Sequence, residues 1–197
     1  MNIGIIPRVR NIKKTIEYSL DKKLIYILKK IYKKPKIIIL HEEKKIKLNL
    51  LIVSGGNDIS LFSNKTEDLV RQKISLFHIK KCLKKKIPII GICYGAQLIA
   101  KIFRSKLKKY PNHVGNHSIE LEKEKFNINI KKKIFVNSFH NYSITKLGRS
   151  LLPLAKAKDS TVEAFIHRKH KILGVMWHPE RYSEIKKIDA QYFSKIK

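Results

Sequence analysis

The stretch Ile87-Pro88-Ile89-Ile90-Gly91-Ile92-Cys93-Tyr94-Gly95 decides how this chain folds. Ile87 to Ile92 is an apolar, β-branched run of the kind that builds a strand buried on both faces, with Pro88 confined to its start. Tyr94 to Phe103 has helical apolar spacing and begins within a residue of the strand's end. Cys93 stands at the corner, with a glycine two positions to either side. A buried strand running straight into a helix is part of a βαβ unit, and a nucleophile at such a corner is the thiol counterpart of the nucleophile elbow. The tight turn lifts Sγ clear of the backbone, and Gly91 and Gly95 leave room for chain and helix to approach. The helix N-terminus adds N–H donors and a positive dipole end, which favour a thiolate. Alone, the pentapeptide leaves two readings open: a nucleophile, or a cysteine buried as a small hydrophobe.

Working outward, Asn2–Ile6 reads as a short strand, and Thr15 to Tyr32 as a helix with apolar residues at 16, 20, 24, 27, 28 and 31. Ile37–Leu40 and Leu50–Ser54 read as further strands. Thr66 is expected to N-cap a helix running towards Lys86, with Glu67 and Asp68 in its first turn. Beyond the elbow helix, short strands are expected near 118–121, 134–136, 151–157, 162–167 and 172–177, then a helix from about Ser183. Strand–helix alternation in the first half implies a parallel sheet. The expectation is therefore an α/β fold, a mostly parallel central sheet flanked by helices, with a strand-rich second half. No repeat or Gly/Ser linker interrupts it, so residues 1–197 are expected to form one domain.

Composition bounds the function. With 44 Lys+Arg against 15 Asp+Glu the formal charge is +29, and 37 of the basic residues are lysine, accompanied by 32 isoleucines. Biased coding towards AT-rich codons gives that skew, and the lysines are spread through the chain rather than gathered with aromatics as in a nucleic-acid binder. Any attraction that remains points to a phosphorylated small molecule before DNA or RNA. Two cysteines, Cys82 and Cys93, give no disulfide framework and no zinc spacing. No secretory signal and no membrane-length apolar run is present, so a cytoplasmic protein without membrane association is expected.

A thiolate needs a base, and eight histidines compete for the role. His178 stands out because it follows the strand expected at 172–177, where reactive groups gather beyond the strand ends of an open α/β sheet. Glu180 is close enough to orient its imidazole. His178-Pro179-Glu180 alone reads equally as a turn. Ser54-Gly55-Gly56-Asn57-Asp58 also lies at a strand end, where a glycine N–H, with that of Tyr94, can face a developing oxyanion; alone, it too is simply a turn. Cys82, at apolar helical spacing with Leu69, Ile74 and Ile79, belongs to the core, and the lysines of 13–34 to a solvated face.

The ordered segments SGGND, GICYGAQ, VNSFHN and GVMWHPE, spanning about Leu50 to Arg181, resemble the class I glutamine amidotransferase superfamily. Within it they are similar to the γ-glutamyl hydrolase branch, and most to γ-glutamyl-CDP-amidate hydrolases of capsular phosphoramidate biosynthesis. Asn112-His113-Val114-Gly115, Val136 to Asn141 and Ala157 to Phe165 carry that finer likeness. The resemblance implies a flavodoxin-like fold and a γ-glutamyl amide hydrolase that uses no cofactor and no metal. It implies Cys93 as nucleophile, His178 as base and acid, and Glu180 as the carboxylate behind it. Gly56 and Tyr94 would supply the oxyanion hole. Gln97, Ser138, Phe139 and His140 would lie against the glutamyl group, and Asn57 is a further candidate substrate contact. Two departures stand out: Tyr94 occupies a position that is often Arg in this branch, and the longer insertions of the larger hydrolases are missing.

Arg8 and Arg10, just after the first strand, are candidate contacts to a diphosphate leaving group. His113 and His117 read as a polar loop beside the site. The principal expectation is cleavage of a γ-glutamylated nucleotide phosphoramidate, releasing glutamate. The alternatives are a γ-glutamyl-γ-aminobutyrate-type hydrolase, or a glutaminase subunit that passes ammonia to a synthase partner. A nucleic-acid-binding protein with a vestigial site has only the charge in its favour.

Overall fold

In a computed structural model of the chain, residues 1–110, 114–122 and 132–196 are described. The parallel half contains β1 (Asn2–Ile6), β4 (Lys36–Ile39), β5 (Leu50–Val53), β6 (Ile89–Ile92) and β13 (Ile172–Val175). These strands lie in the order β4-β1-β5-β6-β13, every neighbouring pair parallel. The sheet continues antiparallel through β12 (Val162–His167), β11 (Leu151–Ala157), β8 (Val114–Leu121) and β9 (Lys133–Phe139). This is the expected mixed α/β sheet with its strand-rich second half.

The parallel strands read as continuous apolar runs because both faces are covered. Ile3, Ile5, Leu50, Ile52, Ile90 and Ile92 face one core cluster, to which α1 (Lys22–Ile31) and α4 (Lys187–Ser194) contribute. Ile6, Leu51, Val53 and Ile89 face the other, formed with α2 (Thr66–Lys84) and α3 (Tyr94–Ile102). Each fully buried side chain of this size contributes about 1.5–3 kcal/mol. Cys82 lies in the second cluster, as its spacing implied.

The structure corrects the expected helix Thr15–Tyr32. Its first part is β3 (Thr15–Ser19), paired with β2 (Arg8–Ile12) in a separate hairpin. The two turn residues, Lys13 and Lys14, have φ of 49° and 68°, the positive values of a type I′ turn that is usually signalled by Asn-Gly. Helix α1 starts only after Asp21, whose side chain accepts from the Lys23 N–H at 2.8 Å. Thr66 is the first helical residue rather than the cap, and Lys65 precedes it without a side-chain capping bond. Two strands went unforeseen, the lysine-rich β7 (Lys106–Lys109) and β10 (Tyr142–Lys146), which pair with each other beside β12. The strand expected to reach 177 ends at Val175, a 3-10 turn spans Pro179–Arg181, and the last helix begins at Lys187 rather than near Ser183.

Candidate active site

Four adjacent parallel strands end level with one another. Ile6 pairs with Val53, Val53 with Gly91, and Ile92 with Val175. The residues that follow those strands, Arg8, Ser54 to Asn57, Cys93 and His178, are thereby delivered to one edge.

Cys93 occupies the corner between β6 and α3 with φ 48° and ψ −100°, a conformation costly for a residue with a Cβ and found where surrounding structure enforces it. Its N–H donates to the Val175 carbonyl at 2.8 Å, and its carbonyl accepts from Gln97 N–H. A Cβ on Gly95 would run into the carbonyl oxygen of Val53, so the helix can start this close to β5 only with glycine there. As the first helical residue, Tyr94 carries an N–H with no acceptor inside the helix.

His178 is 3% exposed, and its Nδ1 lies 2.7 Å from Glu180 Oε1. Burial opposes charge on this imidazole. The negative charge of a Cys93 thiolate, its hydrogen bond to the ring and then the Glu180 carboxylate more than offset that, pushing His178 up to about 10. Asn137 fixes the backbone at this point: His178 N–H donates to Asn137 Oδ1 at 2.8 Å, and Asn137 Nδ2 donates to the His178 carbonyl at 2.9 Å. Phe139 meets the imidazole edge-on with centroids 5.6 Å apart. A side chain on Gly55 would occupy the position of the imidazole, so this glycine makes room for the ring.

Gly56 has φ 82°, and its loop is gripped from below by Arg71. This wholly buried guanidinium donates to the carbonyls of Ser54 (2.6 Å) and Gly56, to Ser54 Oγ (3.0 Å) and to Asn57 Oδ1 (3.1 Å), and stacks 4.0 Å over the Tyr94 ring. Burial pulls Arg71 down to about 10, with Tyr94 and Cys93 acting against it. Asn57 ties the loop to β2 by accepting from Val9 N–H and donating to the Val9 carbonyl, both at 2.9 Å. It also donates to Asp68 at 2.7 Å.

Cys93, Gln97, Asn57, Phe139 and His140 line one cavity of about 570 Å³. Gln97 Nε2 donates to the Tyr142 carbonyl at 2.9 Å, and Tyr142 stacks on Phe62 at 3.8 Å. Ser138 is fully buried in β9 opposite Gly115 and does not line the cavity. His140 and His117 each place Nε2 3.6 Å from the buried Glu163. His117 is therefore on strand β8 rather than in a loop, while Asn112 and His113 lie outside the described residues. Arg8 and Arg10 reach the same cavity as Cys93. Among the described residues no group of three His, Cys, Asp or Glu is placed to hold a metal.

Sequence reading missed Arg71, Asn137 and the Glu163 contacts. Their partners lie 14–17 residues away for Arg71 and 41 for Asn137, and no local pattern signals them.

A strained cysteine at a strand–helix corner and a carboxylate-held imidazole, beside one cavity, form an arrangement able to carry out acyl transfer. The family comparison agrees: the chain belongs to the class-I glutamine amidotransferases, whose family description matches residues 9–193. Among individual relatives it is 42% identical, over 76% of this chain and 72% of the other, to the γ-glutamyl-CDP-amidate hydrolase of Campylobacter jejuni. It is 30% identical to a glutamine-hydrolysing GMP synthase subunit of Methanococcus vannielii, over 70% of this chain and 67% of the other. A glutamine amidotransferase structure from Thermotoga maritima shares the fold with TM-score 0.67 at 19% identity, covering 91% of this chain and 76% of that one. No described helix is long and apolar enough to cross a membrane.

Proposed function

We propose that this protein is a cysteine-dependent hydrolase that cleaves the amide of a γ-glutamyl phosphoramidate nucleotide, γ-glutamyl-CDP-amidate, releasing glutamate in the cytoplasm. The observation that carries the reading is the meeting of Cys93, His178 and Glu180 at the level ends of β6 and β13. The named substrate of the 42% identical relative supports the choice of leaving group.

The chemistry runs in two halves. Sγ of Cys93 attacks the γ-carbonyl carbon, and the carbonyl electron pair moves to oxygen, where the N–H groups of Gly56 and Tyr94 receive it. One such donor is worth about 10²–10³ in rate. The C–N bond then breaks, the imidazolium of His178 gives its proton to the departing nitrogen, and a γ-glutamyl thioester remains on Cys93. His178, now neutral, takes a proton from water, whose oxygen attacks the thioester. The thiolate leaves and glutamate is freed. Glu180 holds the imidazole in one tautomer throughout. Gln97, Asn57, Phe139 and His140, which line the cavity, clasp the glutamyl end. No cofactor enters.

A second reading, a glutaminase that feeds ammonia to a synthase partner, is favoured by Tyr94 and by the 30% identity to a component of GMP synthase. Glutamate release from glutamine, γ-glutamyl-γ-aminobutyrate and γ-glutamyl-CDP-amidate, with Cys93→Ala as the blank, separates the two. A preference for the nucleotide of about a hundredfold is expected. Activity on glutamine alone, or none without a partner, would favour the ammonia-supplying glutaminase.

A further inference from the structure

Beside the cavity that contains Cys93 lies a second, of about 200 Å³, with Arg8, Arg10, Gly56, His178 and Arg181 in the shared wall. Among the described residues its basic lining is Arg8, Arg10 and Arg181, with no lysine. The chain has 37 lysines and only seven arginines, so indiscriminate basic composition would have filled this place with lysine. Arginine differs in chemistry: its planar fork meets phosphoryl oxygens two at a time.

Each arginine is positioned. Arg8 crosses Gly56 closely enough that a Cβ there would meet its Cδ at 2.7 Å. Arg8 and Arg10 alternate with the buried Val9 along β2, so both project to one side, and Asn57 anchors that strand to the oxyanion loop. Arg181 stacks 4.2 Å over the Phe139 ring, directly after the His178–Glu180 pair. The cavity's two carboxylates are committed, Asp21 to the Lys23 N–H at 2.8 Å and Glu180 to His178 at 2.7 Å. The same three arginines also border the larger cavity, but there Lys65 is outnumbered by Asp58, Glu67 and Asp68, which disfavour a phosphate, and Gln97 suits the glutamyl end.

We propose that the smaller cavity is a phosphate subsite for the leaving group. Arg8, Arg10 and Arg181 grip the phosphoryl oxygens that follow the scissile nitrogen, while His178 in the shared wall faces that nitrogen. The proposal rests on the reading of Cys93 as the nucleophile towards a γ-glutamyl amide, and adds where the other half of the substrate sits and that Arg181 is one of its contacts.

The test is calorimetric titration of the whole protein with inorganic pyrophosphate and with CDP at about 0.15 M salt, where diffuse surface attraction is screened. Arg181→Gln and Arg10→Gln are each expected to raise Kd about tenfold or more, with Arg181→Lys between them and wild type. Lys29→Gln, which removes the same charge from the exposed side of α1, is expected to change nothing. Thermal melting of each variant verifies folding, and Arg181→Lys keeps the test decisive if a glutamine variant unfolds. Binding that all the arginine variants retain within about twofold overturns the subsite, even if γ-glutamyl-CDP-amidate proves the preferred substrate. Arginine-dependent pyrophosphate binding without preference for that substrate would sustain the subsite and overturn the nucleotide reading.

Discussion

Cys93 and His178 divide the work between geometry and charge. The backbone at Cys93 is held at φ 48° by the Val175 bond on one side and the start of α3 on the other, so Sγ faces the cavity without moving. The charge of His178 depends on neighbours that withdraw at a single substitution. With the imidazole raised to about 10, the proton it gives to a departing nitrogen is present throughout the neutral range and is lost as pH rises through that value. Removing the negative partner lowers the point of loss. Glu180→Gln is therefore expected to cut kcat/KM by about 10²–10⁴-fold and to move the alkaline limb of its pH profile downward, measured on the same γ-glutamyl substrate. A reduced rate with an unmoved limb would mean that Glu180 only packs.

At the scale of elements, the β2–β3 hairpin is an addition to the sheet rather than part of it, and Asn57 is its bolt. Asn57→Ala removes two bonds to Val9, one to Asp68 and one accepted from Arg71. Its expected effect is a KM for the nucleotide substrate raised about tenfold or more, with a smaller change in kcat, because Arg8 and Arg10 lose their seat while Cys93 and His178 keep theirs. An effect confined to kcat would instead place the damage in the oxyanion loop. The hairpin also shows where sequence reading ran out. The elbow was legible because it is local: an apolar run, a glycine, a cysteine and the next helical turn lie within a few residues. Its second strand falls inside the expected helix because Ile16, Leu20 and Leu24 happen to lie at helical spacing, and the turn that would reveal the hairpin is Lys13-Lys14. Arg71 and Asn137 were silent because a buried guanidinium or amide is defined by carbonyls that only folding brings near.

Across the whole molecule, the level strand ends matter more than any one motif, since they turn four separate segments into one edge. That edge followed from the alternation of strands and helices. The strand-rich half was harder to bound, because β7 and β10 are short and lysine-bearing and, among the described strands, pair only with β12 and each other. The site's distant support reaches α4, where Trp177, next to His178, donates to Asp189 at 2.7 Å. Burial raises Asp189 from 3.8 to about 7 against the opposing effects of Trp177 and Lys186. A carboxyl whose folded pKa is raised holds its proton more tightly in the native state, so its contribution to stability falls as pH climbs from about 4 to 7 and then levels. Asp189→Asn is expected to flatten that stretch and to melt higher than wild type above pH 7; a parallel pH dependence in both proteins would contradict this.

The most direct measurement is mass spectrometry of the protein acid-quenched during turnover of a γ-glutamyl substrate. The account predicts one glutamyl group bound as a thioester on the peptide that contains Cys93, absent in Cys93→Ala, which also releases no glutamate. Continued glutamate release by Cys93→Ala, with no adduct on the wild-type peptide, would contradict it.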